Sequence, residues 1–227
     1  MLMVNEGHDD LRRCTRTRDI GVRMIAPAHA AGVRHLAMEA LTPDFAAAAN
    51  RELRLGPGSG YLAQFDLRAL MMTALEHGWS LNAYEIDVER IGPGRVPSLN
   101  ERDEQQALNL AAAFSGIAKH SKMMVWCGWT HHFKRSIRSH QGAYEPMGLR
   151  FLRATGITPF CIDQTVTIRL QAPDRESPIA RHHRRVLERF GGTAGYLLRR
   201  TGLPPTPVRW FYRGVDAVIC SLHNRLE

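Results

Sequence analysis

Lysine is nearly absent from this 227-residue chain: Lys119, Lys122 and Lys134 are three of its thirty basic residues, and the rest are arginine. Cysteine is scarce as well. Cys14, Cys127, Cys161 and Cys220 stand far apart with no CxxC pair, which argues against a zinc knuckle or a disulfide framework and for reduced, partly buried thiols. No apolar run approaches the roughly 20 residues that cross a bilayer. No basic segment followed by an apolar one marks a secretory signal, so a cytoplasmic location is the expectation. There is no GxSxG elbow, no lysine beside the glycine-rich LGPGSG segment (residues 55–60), and no GxGxxG between a strand and a helix. A serine nucleophile and nucleotide cofactors therefore lack support.

What is present suits one globular domain over residues 1–227, with 44% hydrophobic and 23% charged residues. The net charge of +8 is spread along the chain rather than gathered, so nucleic acid is not the expected partner. The densest basic stretch, ARHHRRVLERF (residues 180–190), reads as the solvated face of a helix over 178–190. The expected partner is a small-molecule or peptide substrate, for which arginine permits negative charge; self-association is compatible with the sequence.

Extended and helical patterns alternate. MLMV (1–4), VRHLAMEAL (33–41), SLNAYEID (80–87), MMVWCGW (123–129) and residues 158–170 read as strands. Helical periodicity fills 11–31, 43–55, 61–77, 100–120 and 146–155. Gly32 and Gly78 close two of these helices, Thr42 and Pro43 open another, and Leu108, Ala111, Ala112 and Ile117 read as the apolar side of the helix from Asn100. The closing VRWFYRGVDAVICSLHN (208–224) reads as strands about a turn at Gly214. Strand–helix alternation predicts an α/β fold: a mostly parallel central sheet with helices on both faces and mixed edge strands from the C-terminal part.

In a parallel sheet the carboxyl ends of all strands share one edge. Glu6 and His8 follow the first strand, Glu39 and Glu85 sit late in the second and third, and His131 and His132 follow the fourth, so these residues are expected to converge on one crevice. Glutamates in apolar strands are unfavourable unless paired. A neutral histidine held by a carboxylate is a general base for water; two histidines with carboxylates equally suit a divalent metal with an open position. Trp129 flanks the last motif and can line an apolar substrate site, as can Trp126 if it is not core.

The order of these motifs resembles the erythromycin esterase-like, ChaN-like and TraB/TIKI superfamily. The resemblance is carried by NEGHDD (5–10), GVRHLAMEAL (32–41), AYE (83–85), NERDEQQALNLA (100–111) and VWCGWTHH (125–132), with GVDAVI (214–219) similar to its last strand. It implies His8 as the base that activates water, Glu6 as its acidic neighbour, Glu39 and Glu85 as acids lining the site, His131 as the histidine of Gly-x-x-His, and Arg102 as an arginine facing the site. His132 joins Arg102 and Trp129 as an expected substrate contact. Asn5 stands where the superfamily carries glycine, and the start on a strand suggests sequence upstream. The resemblance implies a hydrolase of esters or amides, with elimination or rearrangement by the same base as an alternative. His8, Glu39 and His131 would be ligands if a divalent metal takes part, and haem binding without turnover is a further alternative.

Overall fold

The computed structural model describes residues 1–7, 11–86, 95–139 and 142–168, with 178, 181, 184–185, 188, 195–199 and 214–222. His8 and most of the basic stretch at 180–190 lie outside them.

The strands are β1 (Leu2–Glu6), β2 (Val33–Met38), β3 (Ser80–Ala83), β4 (Lys122–Gly128), β5 (Ile137–Ser139), β6 (Gly142–Tyr144), β7 (Phe160–Ile168), β8 (Gly195–Arg199) and β9 (Ala217–Leu222). The helices are α1 (Leu11–Ala30), α2 (Pro43–Glu52), α3 (Phe65–Glu76), α4 (Leu99–Ser115) and α5 (Met147–Thr155). The main sheet runs in the order β3-β2-β4-β1-β7-β9-β8. All its neighbours are parallel except β8, which pairs antiparallel with β9 at the edge. A separate antiparallel hairpin, β5–β6, follows β4. The expected α/β fold with a mixed C-terminal edge is therefore present.

Alternation along the central strands explains the two layers. Val4 and Trp126 point into one apolar cluster with Ile25 of α1, Ala46 of α2 and Leu70 of α3. Met3, Val125 and Cys127 point into another with Ala107 and Leu110 of α4 and Met147 and Phe151 of α5. Strands buried on both faces read as unbroken apolar runs, which is why they were legible. Close approach is decisive at Gly21 of α1, where an added Cβ would lie 2.7 Å from the Trp126 ring. That glycine lets α1 lie against the tryptophan.

Several expectations need correction. The helix over 61–77 is broken: residues 60–63 form a 3-10 turn and α3 begins after Gln64. β3 stops at Ala83, so Glu85 follows the strand rather than lying in it. The buried side of α4 is Asp103, Gln106, Ala107 and Leu110, while Leu108 is exposed. Two polar residues lie on that buried side: Asp103 accepts from Tyr144 and the Met147 N–H, and Gln106 Nε2 donates to Glu85. Among the described residues, no helix is long and apolar enough to cross a membrane.

Candidate active site

β1 lies between β4 and β7, so the ends of these strands stand together at the centre of the sheet edge. Two left-handed residues turn the chain there: Ala40 (φ 67), directly after Glu39, and Trp129 (φ 35), directly after β4. The Trp129 backbone N–H donates to Glu6 O at 2.8 Å, and its carbonyl accepts from Asn5 Nδ2 at 2.7 Å. Asn5 also donates to Asp163 Oδ1 at 3.1 Å and accepts from the Gln164 N–H at 2.9 Å. Its side chain thus ties β1 to both neighbouring strands, a role glycine has no atoms to fill.

Glu6 is fully buried. Arg18 of α1 grips both its oxygens, Nε to Oε2 at 2.9 Å and Nη2 to Oε1 at 3.1 Å. Tyr61 Oη donates to Oε1 at 2.6 Å and Trp126 Nε1 to Oε2 at 2.8 Å. Arg18 reaches further, to Asp66 at 2.8 Å. Glu6 is therefore the hub of a buried network fastening α1 and the 60–63 turn to β1. Tyr61 is correspondingly pushed up, by burial first and then by the Glu6 charge.

Glu39, Glu85 and Arg102 form a second network. Arg102 Nη2 lies 2.6 Å from Glu39 Oε1 and 2.6 Å from Glu85 Oε2, and its Nε donates to Glu85 Oε1 at 3.1 Å. Glu39 Oε2 accepts the Gly128 N–H at 2.6 Å, and Gln106 Nε2 donates to Glu85 at 2.9 Å. Burial opposes charge on Glu85, but Arg102 outweighs it and holds the carboxyl below its ordinary range. One guanidinium thus faces two carboxylates and has little attraction left for an anionic substrate.

His131 stands on α4's side of this network. Its Nδ1 meets Asp103 Oδ1 at 2.5 Å, and Nε2 lies 3.8 Å from Glu39 Oε1, too far for a direct hydrogen bond. Asp103 Oδ2 accepts from Tyr144 Oη of the hairpin at 2.6 Å and from the Met147 N–H at the start of α5 at 2.9 Å. Burial disfavours the imidazolium, yet the Asp103 hydrogen bond and the Glu39 and Asp103 charges prevail, so His131 is raised above its usual range. Asp103 was not anticipated. The signal for it was its place on one helical stripe with Ala107 and Leu110.

His131 and His132 differ sharply. Packing at this turn is tight: a Cβ on Gly148 would lie 2.6 Å from His132 O. Among the described residues, neither His132 ring nitrogen makes a hydrogen bond of good geometry, although the nearby Trp129 backbone favours its protonation, and buried Asp163 Oδ2 likewise lacks a partner there. Burial pushes His132 down to about 4, relieved only in part by the Asp163 charge. It is fully buried, unlike the half-exposed Arg102 and the exposed Trp129, its fellow expected substrate contacts. Since its folded value lies below the ordinary 6.5, the native state resists a proton that the unfolded chain accepts. The associated stability is complete above pH 6.5 and is lost as pH falls toward 4. His132→Leu should therefore be neutral or stabilising at pH 7 and clearly stabilising at pH 5, read from urea unfolding at both values; a variant losing stability at both would contradict this account.

A divalent metal would draw on Glu39 and His131, with His8 outside the described residues. Both Glu39 oxygens already accept from Arg102 and Gly128, and among the described residues no three His, Cys, Asp or Glu side chains are placed to hold a metal ion. The described side chains thus do not by themselves form a metal site.

No protein-family model matches the chain, and no curated protein is significantly similar to it. Among solved structures it is similar to RRSP, a MARTX toxin effector domain from Vibrio vulnificus CMCP6, at 15% identity and TM-score 0.47, covering 72% of this chain and 32% of that one. It is also similar to a bacterial protein toxin, at 16% identity and TM-score 0.44, covering 72% and 33%. The type III effector HopBA1 aligns over 98% of this chain and 88% of its own, at 14% identity and TM-score 0.49. The chain spans about a third of the length of the two toxin chains.

Proposed function

We propose that the chain is a hydrolase-like acid–base enzyme acting on an ester or amide, with His131 as the proton-transfer group and Asp103 as its orienting partner. The observation carrying this reading is the 2.5 Å contact between His131 Nδ1 and Asp103, which leaves Nε2 without a direct hydrogen bond among the described residues. Fixing one ring nitrogen on a carboxylate sets the tautomer and aims the other nitrogen. Nε2 then takes a proton from water as the hydroxide adds to the carbonyl carbon, and returns it to the leaving oxygen or nitrogen when the tetrahedral adduct collapses. The products are a carboxylic acid and an alcohol or amine.

The order of strand-end motifs supports membership of the erythromycin esterase-like superfamily, in which His8 would be a second candidate base. Arg102, shared between Glu39 and Glu85, favours an uncharged substrate over an anionic one. Elimination or rearrangement would use the same proton transfer.

The test is hydrolysis of 2-naphthyl acetate by the wild type, His131→Ala and His8→Ala. Loss in His131→Ala supports this reading, whereas loss confined to His8→Ala transfers the role of base to that residue. A stoichiometric haem absorption band that disappears in His131→Ala would replace the enzyme with a binding module.

A further inference from the structure

We infer that Trp129 is a stacking platform that binds a planar ring carried by the substrate next to His131. The inference rests on reading His131 as the reacting group and names the substrate class: an uncharged aryl ester or aryl amide.

The other two described tryptophans show what this sequence does with an indole in its core. Trp79 and Trp126 are buried, and each places its N–H on an acceptor, His29 Nδ1 at 3.0 Å and Glu6 Oε2 at 2.8 Å. Trp129 is different in each respect. The residue is 39% exposed, and its indole N–H meets no protein acceptor among the described residues.

Its backbone is also unusual. A φ of 35° lies in the left-handed region, where a bulky side chain is an outlier and glycine or asparagine the common solution. The conformation persists because both backbone polar groups are clamped, the N–H on Glu6 O at 2.8 Å and the carbonyl under Asn5 Nδ2 at 2.7 Å. Those clamps act on the main chain and would hold a smaller residue equally well. They do not account for an indole.

Position supplies the account. The His131 N–H donates to Gly128 O at 3.2 Å, so Trp129 and His131 are the second and fourth residues of one tight turn. The indole and the imidazole rise from the same four residues at the carboxyl edge of the central strands. An indole face stacks on planar rings irrespective of their substituents, and its edge N–H is available to an acceptor such as an ester carbonyl. The surroundings disfavour an anionic ring: Glu39 and Glu85 outnumber Arg102, and Asp103 adds a further carboxylate.

The test uses 2-naphthol, which has the ring but no scissile bond, so it reads binding separately from hydrolysis. In the wild type its addition should shift the Trp129 indole N–H resonance, assigned by its absence in Trp129→Phe. Affinity should fall by about tenfold in Trp129→Ala and be largely retained in Trp129→Phe, and the KM for 2-naphthyl acetate should follow the same order. A folded Trp129→Ala that binds 2-naphthol as well as the wild type overturns the inference. So does a wild-type indole resonance unmoved by saturating 2-naphthol, an observation that needs no variant to fold. Binding by Trp129 without any hydrolysis would uphold the platform and refute the hydrolase reading.

Discussion

Asp103→Asn is expected to lower kcat/KM for ester hydrolysis on the order of 10³-fold, the scale of a positioned general base. Asparagine preserves the shape of the side chain but not the charge, and its amide can present a donor where Asp103 accepts from His131 Nδ1 at 2.5 Å. The imidazole then loses the partner that fixes its tautomer. A second readout follows from the same contact. His131 is raised against burial by Asp103 and Glu39, so its NMR titration midpoint should lie above 6.5 in the wild type and fall in Asp103→Asn. The sign has a consequence for stability: the contribution of this group is complete below pH 6.5 and is lost as pH rises through the folded value. Adding His131→Ala to Asp103→Asn should cost little more than either change alone, because the pair acts as a unit. An Asp103→Asn enzyme with wild-type kinetics and an unmoved His131 midpoint would sink the proposed mechanism.

The largest effect on stability should come from Arg18→Met. The change leaves Glu6 fully buried without its guanidinium partner, with Tyr61 and Trp126 among its remaining donors. Removing one partner of a buried ion pair costs about 3–5 kcal/mol, mostly through the charge left behind. Domains of ordinary stability have roughly 5–15 kcal/mol in total, so the single variant should lose a large share of its stability. Glu6→Gln combined with Arg18→Met removes both charges; the amide oxygen can accept from Trp126 Nε1 while the amide NH2 donates to Tyr61 Oη. The double variant should regain about half of the loss. Urea unfolding of the two singles and the double provides the coupling; additive losses would show that Glu6 and Arg18 are not a unit.

Asp103 and Arg18 escaped the sequence reading for one reason. Each is a charged residue on the buried stripe of an otherwise amphipathic helix: Arg18 stands three and seven residues before Gly21 and Ile25, and Asp103 four and seven before Ala107 and Leu110. Periodicity assigns charged residues to water, so it turned α4 toward Leu108 and Ala112 instead. A charge enters a core only when a partner is there to meet it, and the partners come from distant parts of the chain. His131 lies 28 residues beyond Asp103, and Trp126 is 120 residues from Glu6.

The sequence by itself determined the alternation of strand and helix, the parallel sheet it implies, and the arrival of Glu6, Glu39, Glu85, His131 and His132 at one edge. These follow from local chemistry: apolar runs that must be buried on both faces, the Thr42 cap before Pro43, and strand ends that a parallel sheet brings together. Only the tertiary structure decided what each residue does at that edge. It made Glu6 the hub of a buried network, divided Arg102 between Glu39 and Glu85, gave His131 a carboxylate from α4, and buried the His132 ring with no side-chain partner among the described residues. The physical reason is that a side chain's charge and reactivity depend on what lies within about 4 Å of it. Register, helix rotation and close contacts such as Gly148 against His132 set those distances, and none of them is a local property of the chain.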